Sequence, residues 1–235
     1  MIHCTKVLAL SVVVTIMFTS FAFSANYSDA QEAYNKGNYS DALRLWHILA
    51  ENGHIDSQYS LGLMHAEGVG LPQNFKEAFR WFSLASTQGH IDAQNKLGQM
   101  YSKGIGVKRD YAQSIKWYKL AASKNSALAQ YSLGWMYSQG WGSPKDNAEA
   151  LKWYRLAAKQ GHVESQLNLG VLYANGLGIP KNYIVAYVWG SIASKQGNIN
   201  ARTNKEKLSQ MMNTYQLEKA QALEKKCIKN DFQGC

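Results

Sequence analysis

Residues 133–142 read Leu-Gly-Trp-Met-Tyr-Ser-Gln-Gly-Trp-Gly, and this stretch decides the fold because its features return along the chain at one constant step. The step is thirty-six residues, and it holds for a Leu-Gly pair, a Gly-x-Gly triplet and a tryptophan. The pairs begin at Leu61, Leu97, Leu133 and Leu169, the triplets begin at Gly68, Gly104, Gly140 and Gly176, and the tryptophans are Trp81, Trp117, Trp153 and Trp189. A period of this length is typical of helical repeat proteins.

Each unit is predicted to contain two helices. In the third unit, apolar residues follow helical spacing from Ala129 to Tyr137, and Gly140 is predicted to end this helix in the left-handed conformation. Asp146 is predicted to cap a second helix, which ends at Gly161. The Gly-x-Gly triplet is therefore predicted to be a turn between helices, because a dinucleotide-binding loop would follow a strand and would not recur.

The complete unit resembles the Sel1-like repeat, a relative of the tetratricopeptide repeat. Its pattern is A-x-x-x-L-G-x-x-Y-x-x-G-x-G followed by A-x-x-W-Y-x-x-A-A-x-x-G, which residues 129–142 and 150–161 match. The resemblance implies an all-α fold, a right-handed α/α solenoid of helix pairs, and protein–protein interaction as the usual function. It also implies a repeated core of Leu61, Gly62, Trp81, Leu97, Gly98, Tyr101, Trp117, Leu133, Gly134, Tyr137, Trp153, Leu169, Gly170, Tyr173 and Trp189.

Two positions depart from the pattern. His65 stands where the other units have tyrosine, and Asn125 stands where the other units have a glycine after the second helix. Asparagine tolerates the left-handed conformation, so the turn at Asn125 is expected to survive.

The ends of the chain differ from the array. Lys6 is followed by an uncharged apolar run over residues 7–23 and by small residues, which is the order of a secretory signal peptide cleaved between Ser24 and Ala25. An uncleaved anchor is the alternative, but this run is short for a membrane span, which needs roughly twenty residues. We expect a signal peptide over 1–24, a tetratricopeptide-like repeat over 25–52, the Sel1-like array over 53–201, and a capping helix with a tail over 202–235.

The cysteines lie outside the repeats. Cys4 falls in the leader, and Cys227 and Cys235 form a pair near the end of the chain. In an exported protein such a pair predicts a disulfide, because zinc would need two further ligands nearby. The capping segment is expected to contain one charged amphipathic helix over residues 208–227, pinned by this disulfide.

The sequence gives little indication of catalysis. S-x-x-K, G-x-S-x-G, H-E-x-x-H and P-loop motifs are all absent, and no cofactor or metal is expected. His54, His90 and His162 recur at one repeat position that Ser126 interrupts. Successive helices pack about 8–10 Å apart, whereas zinc ligands lie about 2 Å from the metal, so these histidines are predicted to be loop or cap residues.

The net charge of +9 comes from scattered lysines, which favours attraction of anionic partners over nucleic-acid binding. The binding surface is predicted to be the concave wall formed by the first helix of each unit. Its candidate residues are Tyr59, Leu63, Asn95, Gln99, Tyr131, Trp135, Leu167 and Val171. Tyr131 and Trp135 are the predicted aromatic anchors; alternatively, Trp135 packs against the next repeat.

We therefore expect a non-enzymatic protein that binds another protein or peptide, periplasmic or secreted, acting in the bacterial envelope or on host factors. No stable membrane insertion is expected after the signal peptide is removed. One alternative is a β-lactamase-like or cell-wall-peptide hydrolase, by analogy with cysteine-rich Sel1-like proteins. Another is a regulator that holds a periplasmic signalling domain inactive.

Overall fold

The computed structural model describes residues 26–230 and 232, and within this part of the chain twelve α-helices follow one another without a strand. The helices are α1 (Tyr27–Asn35), α2 (Tyr39–Glu51), α3 (Ile55–Glu67), α4 (Phe75–Thr87), α5 (Ile91–Lys103), α6 (Tyr111–Ser123), α7 (Ala127–Gln139), α8 (Asn147–Lys159), α9 (Val163–Asn175), α10 (Tyr183–Lys195), α11 (Ile199–Met211) and α12 (Thr214–Lys229).

The helices keep the period of the sequence. The first helices α3, α5, α7, α9 and α11 begin thirty-six residues apart, and so do the second helices α2, α4, α6, α8 and α10. The helices α3, α5, α7 and α9 each pack on the second helix of their own unit and on the second helix before it, and α11 packs on α10. The chain is a right-handed α/α solenoid, as predicted.

The first helices begin at an unusual cap. His54, His90 and His162 each accept a backbone N–H bond through Nδ1, at 3.2–3.3 Å, from the residue three positions on. Ser126 and Asn198 do the same with their side-chain oxygens. A good N-cap stabilises a helix by about 1 kcal/mol. The prediction that these histidines are cap residues is confirmed.

The Gly-x-Gly triplets are turns, as predicted. The first glycine is the left-handed C-cap of the first helix, with φ between 70° and 75°. The second glycine packs on the start of the preceding unit's second helix: a Cβ on Gly142 would lie 2.7 Å from the carbonyl carbon of Tyr111. The turn at Asn125 also survives, with φ of 65°.

The core of each unit forms around the Leu-Gly pair. Leu61, Leu97, Leu133 and Leu169 are completely buried. Beside three of them the glycine makes room for an aromatic ring, because a Cβ on Gly134 would lie 2.7 Å from Cδ1 of Tyr154.

The other residues of the expected core are buried to different degrees. Trp81, Trp189 and Tyr173 are buried. The partly buried residues are Trp117, Trp153, Tyr101 and Tyr137.

The C-terminal segment corrects one prediction. Two helices occupy the region where one helix over 208–227 was expected, because Asn213 starts α12 with a capping box to Gln216. The expected border at residue 202 falls inside α11, which keeps the register of a first helix. The capping element is α12, which packs mainly on α10. There Glu224 accepts a 2.9 Å hydrogen bond from Ser191 and pairs with Lys195 at 2.7 Å.

The leader and most of the tail lie outside the described residues. The signal peptide and Cys4 fall there, and so does Cys235, so cleavage and the Cys227–Cys235 disulfide stay predictions. Among the helices of residues 26–230, none combines the length and apolar character that crossing a bilayer requires.

Candidate interaction surface

The solvent sides of α3, α5, α7, α9 and α11 form one continuous surface, which we call the first-helix wall. It carries the residues that were predicted to line the concave wall. Three grooves run between its helices: the first between α5 and α7, the second between α7 and α9, and the third between α9 and α11. Their volumes are about 140, 250 and 280 Å³ respectively.

Three of the predicted wall residues join one repeat to the next. The ring of Tyr59 stacks on His90, with centroids 4.3 Å apart, and the ring of Tyr131 stacks on His162 at 4.6 Å. Asn95 occupies the same position in the second unit, where it is buried and donates a 3.0 Å hydrogen bond to Ser126. These side chains meet the N-cap of the following first helix, so much of their surface is committed to the array.

Burial shifts the pKa values at these joints. It raises the pKa of Tyr59 to about 12, with Asp92 and Glu67 adding to the effect. It also raises the pKa of Tyr131 and lowers the pKa of His162. Neutral imidazole is the form that the cap requires, because Nδ1 of His162 must accept the backbone N–H bond. The shifts therefore have a structural explanation.

Four of the five remaining predicted residues line the grooves. Gln99 is exposed beside the first groove, Leu63 is partly buried, and Leu167 and Val171 line the third groove. Trp135 lies between the first and second grooves and lines both. Its indole packs edge-on against Trp141, with centroids 4.3 Å apart, so the loop of its own unit fixes it in place.

Each groove combines apolar walls with one exposed lysine. Lys103 lines the first groove, Lys145 the second and Lys207 the third, and no Asp or Glu is among the described residues that line them. Sequence reasoning missed these lysines. Lys207 could have been predicted, because it continues the thirty-six-residue series of Leu63, Gln99, Trp135 and Val171. It was missed because the array was expected to end at residue 201.

No group of three or more histidine, cysteine or acidic side chains among the described residues is placed to hold a metal ion. The tyrosines and histidines with shifted pKa values are spread along the array, and two of them, Tyr118 and Tyr131, line the first groove together.

A rod of stacked helix pairs with a grooved wall defines an α/α solenoid of the repeat-protein class. Four consecutive stretches, residues 55–90, 91–126, 127–162 and 163–198, match the model of the Sel1 repeat. The chain belongs to the Sel1 repeat family. Comparison with curated protein sequences gives no match.

Two solved structures are similar over most of the chain. A protective antigen of uropathogenic Escherichia coli with an SLR fold is 29% identical over 90% of this chain, with a TM-score of 0.72. The chain spans about half of that antigen, 51% of its length. A Sel1 repeat protein from Oxalobacter formigenes is 25% identical, with a TM-score of 0.72, over 84% of this chain and 85% of its own.

Proposed function

We propose that this protein is an exported, non-enzymatic scaffold whose first-helix wall binds an acidic polypeptide segment with apolar side chains. The observation that carries the proposal is the lining of the three grooves, which pairs apolar surface with Lys103, Lys145 and Lys207 and includes no carboxylate. Charges of one sign in neighbouring clefts attract and orient a partner of the opposite sign.

The spacing of the grooves sets the length of the segment. First helices at about 10 Å intervals place the three grooves over about 30 Å, and an extended chain that rises about 3.3 Å per residue crosses them in about nine residues. Trp135 separates two grooves and is held by Trp141, so it presents a rigid indole, which is a typical anchor of protein interfaces.

Export is proposed from the leader. Residues 7–23 are apolar and follow Lys6, as in a signal peptide. Fractionation of cells that produce the full chain tests this point, and a cytoplasmic protein of unprocessed mass would contradict it.

Site-directed photo-crosslinking in the envelope tests the binding surface. A photo-reactive amino acid at the exposed Gln99 of the first groove is expected to yield an adduct with one polypeptide. The same amino acid at Leu120, which is 42% exposed on the second helix α6, is the matched control. Adducts at Leu120 and none at Gln99 would place binding on the second helices and refute the proposal.

Two substitutions sharpen the test. Trp135→Ala is expected to weaken binding about thirty-fold, the effect of losing an interface anchor, with a circular dichroism spectrum close to the wild type. Lys103→Glu is expected to weaken binding more at low salt than at high salt. Lys116→Glu on α6 makes the same charge change away from the wall and is expected to have little effect.

The hydrolase alternative is tested with a chromogenic β-lactam. We expect purified residues 25–235 to give the same turnover as buffer. Turnover that follows the protein through purification would contradict a purely binding function.

A further inference from the structure

The third groove lacks a side chain that the other units have. Counting back by the thirty-six-residue step, Gly190 occupies the position of Tyr154, Tyr118, Phe82 and Trp46. In the first three Sel1 units this ring covers the glycine of the Leu-Gly pair, because its atoms are the nearest neighbours of a Cβ built there. In the fourth unit the nearest atoms to Gly170 are instead the backbone atoms of Ala186 and Gly190.

The missing ring changes the depth of the groove. Tyr118 lines the first groove and Tyr154 lines the second, whereas the third groove reaches down to Gly170 and Gly190. Its volume of about 280 Å³ is the largest of the three. An apolar cavity of about 150 Å³ is enough to hold a benzene ring. The third groove is therefore large enough for the aromatic side chain that the chain itself does not provide.

The side chains at the edge of the third groove indicate which other groups of a ligand could bind beside an aromatic ring. Val171, Leu208 and Met211 contribute apolar surface, and Met211 is 61% exposed at the edge. Lys207 lines the same groove, and no ion pair joins it to a carboxylate among the described residues. Its neighbour Lys205 instead lies over the ring of Tyr187, with Nζ 5.7 Å from the centroid.

We propose that the third groove accepts a phenylalanine or tyrosine side chain of the bound polypeptide, with a nearby carboxylate of that polypeptide paired to Lys207. The occupant is thus chemically the same as the rings that fill this position in the earlier units. The inference rests on the proposed scaffold function for its biological ligand. The groove itself can be tested on the isolated protein, without any partner.

The first test uses N-acetyl-L-phenylalanine, which carries one benzyl ring and one carboxylate. Titrated into ¹⁵N-labelled residues 25–235, it is expected to shift the amide signals of Gly170, Gly190 and Leu208, with a Kd of about 1 mM for a ligand of this size. N-acetyl-L-alanine, which lacks the ring, is expected to bind at least tenfold more weakly. Intermolecular nuclear Overhauser effects from the ring protons to the methyl groups of Val171 and Leu208 would locate the ring.

The substitution Gly190→Tyr is designed to fill the third groove with an aromatic ring of the protein itself. A Cβ at Gly190 has no atom closer than 3.7 Å, so the backbone leaves room for a side chain to start. The variant is expected to melt at or above the wild-type temperature and to lose binding of the probe. Lys207→Gln is expected to weaken N-acetyl-L-phenylalanine about threefold, as for an exposed ion pair, and to leave N-acetyl-L-phenylalanine amide unaffected.

Several results would overturn the proposal. Shifts that do not saturate, that are equal with the alanine compound, or that lack ring contacts to Val171 and Leu208 would exclude an aromatic site, even if Gly190→Tyr failed to fold. Capture of the polypeptide at Gln99 that Gly190→Tyr leaves intact would show that the ligand does not use the groove. Concentration-dependent dimerisation that Gly190→Tyr abolishes would identify a second copy as the occupant.

The two proposals fail in different ways. If no polypeptide is captured at Gln99 but the probe still binds in the third groove, the scaffold function is refuted and the aromatic site is retained as a small-molecule site. If a polypeptide is captured and the probe does not bind, the scaffold function stands and the aromatic site is refuted.

Discussion

Single side chains at the repeat joints act in matched pairs. Where the N-cap is His90 or His162, the preceding unit offers a tyrosine ring that stacks on it, and where the cap is Ser126, the preceding unit offers Asn95. Each cap thus has two functions, since it starts a helix and also contacts the unit before it. Substitution of the cap residue therefore removes both contributions at once, whereas substitution of its partner removes only the contact between units.

The cap at His162 predicts that stability depends on pH. Burial lowers the pKa of His162 below its ordinary value of 6.5, although the Glu164 carboxylate, 3.8 Å away, acts in the opposite direction. The unfolded chain therefore binds a proton more readily than the folded chain. This contribution to the free energy of unfolding is complete above pH 6.5 and is lost as the pH falls to the folded pKa.

His162→Asn provides the measurement and its control. Asparagine caps α11 at Asn198, so the variant retains an acceptor but does not titrate. Urea unfolding at pH 7 and pH 5 is expected to show a smaller loss of stability in the variant than in the wild type. Some pH dependence should remain, because burial also lowers the pKa of His65. An identical loss in both proteins would contradict a role for His162.

At the scale of helices, a row of buried glutamines ties the first helix of a unit to the end of its second helix. Gln58, Gln130 and Gln166 on the first helices accept hydrogen bonds of 2.7–2.8 Å from Gln88, Gln160 and Gln196 respectively, which follow the second helices. The fourth member, Gln94, has Lys124 in place of the donor glutamine. Its Oε1 is buried without a hydrogen-bond partner, and the Lys124 amine binds the carbonyl of Gly89 instead.

Lys124→Gln is expected to complete this row and to raise the free energy of unfolding by about 1 kcal/mol, because a buried acceptor gains its donor. Urea unfolding at unchanged m-value measures the gain. The reverse change, Gln160→Lys, orphans Gln130 and is expected to cost a similar amount. A loss of stability in Lys124→Gln would indicate that the bond to Gly89 matters more.

The helices were predictable from the sequence because their signals are local and repeated. The glycine stops, the polar caps and the apolar spacing lie within each unit, and even Asn125 could be assigned by its conformational tolerance. The candidate site was less predictable. Tyr59 and Tyr131 belong to joints because the neighbouring unit supplies a stacking histidine, which helical spacing does not reveal. The depth of the third groove could be predicted only from Gly190, because a glycine follows Trp189 at the position where the other units have an aromatic residue.

At the scale of the whole molecule, each unit contacts its neighbours along the rod. Stability in such a protein is approximately a sum of unit and nearest-neighbour terms, so damage at one end stays local. Here α12 closes the C-terminal end by covering α10, and the buried Glu224 holds it through Ser191 and Lys195.

Glu224→Ala is expected to accelerate amide hydrogen exchange in α10, α11 and α12, because Ser191 loses its partner and the terminal unit opens more often. Exchange in α3 to α6 is expected to stay at the wild-type rate. Glu218→Ala, an exposed change on the same helix, is the control. Faster exchange along the whole rod would show that the molecule opens as one cooperative block.

The seating of each glycine loop on the helix start before it also bears on how such a chain evolves. The second glycine of each triplet meets the first residue of the preceding second helix, through the side chain of Tyr39 at Gly70 and through the backbone at Gly106, Gly142 and Gly178. A recombination event that duplicates or deletes thirty-six residues in register therefore regenerates this contact at the new seam. The gene can lengthen or shorten the binding wall in single steps, while α12 continues to terminate it.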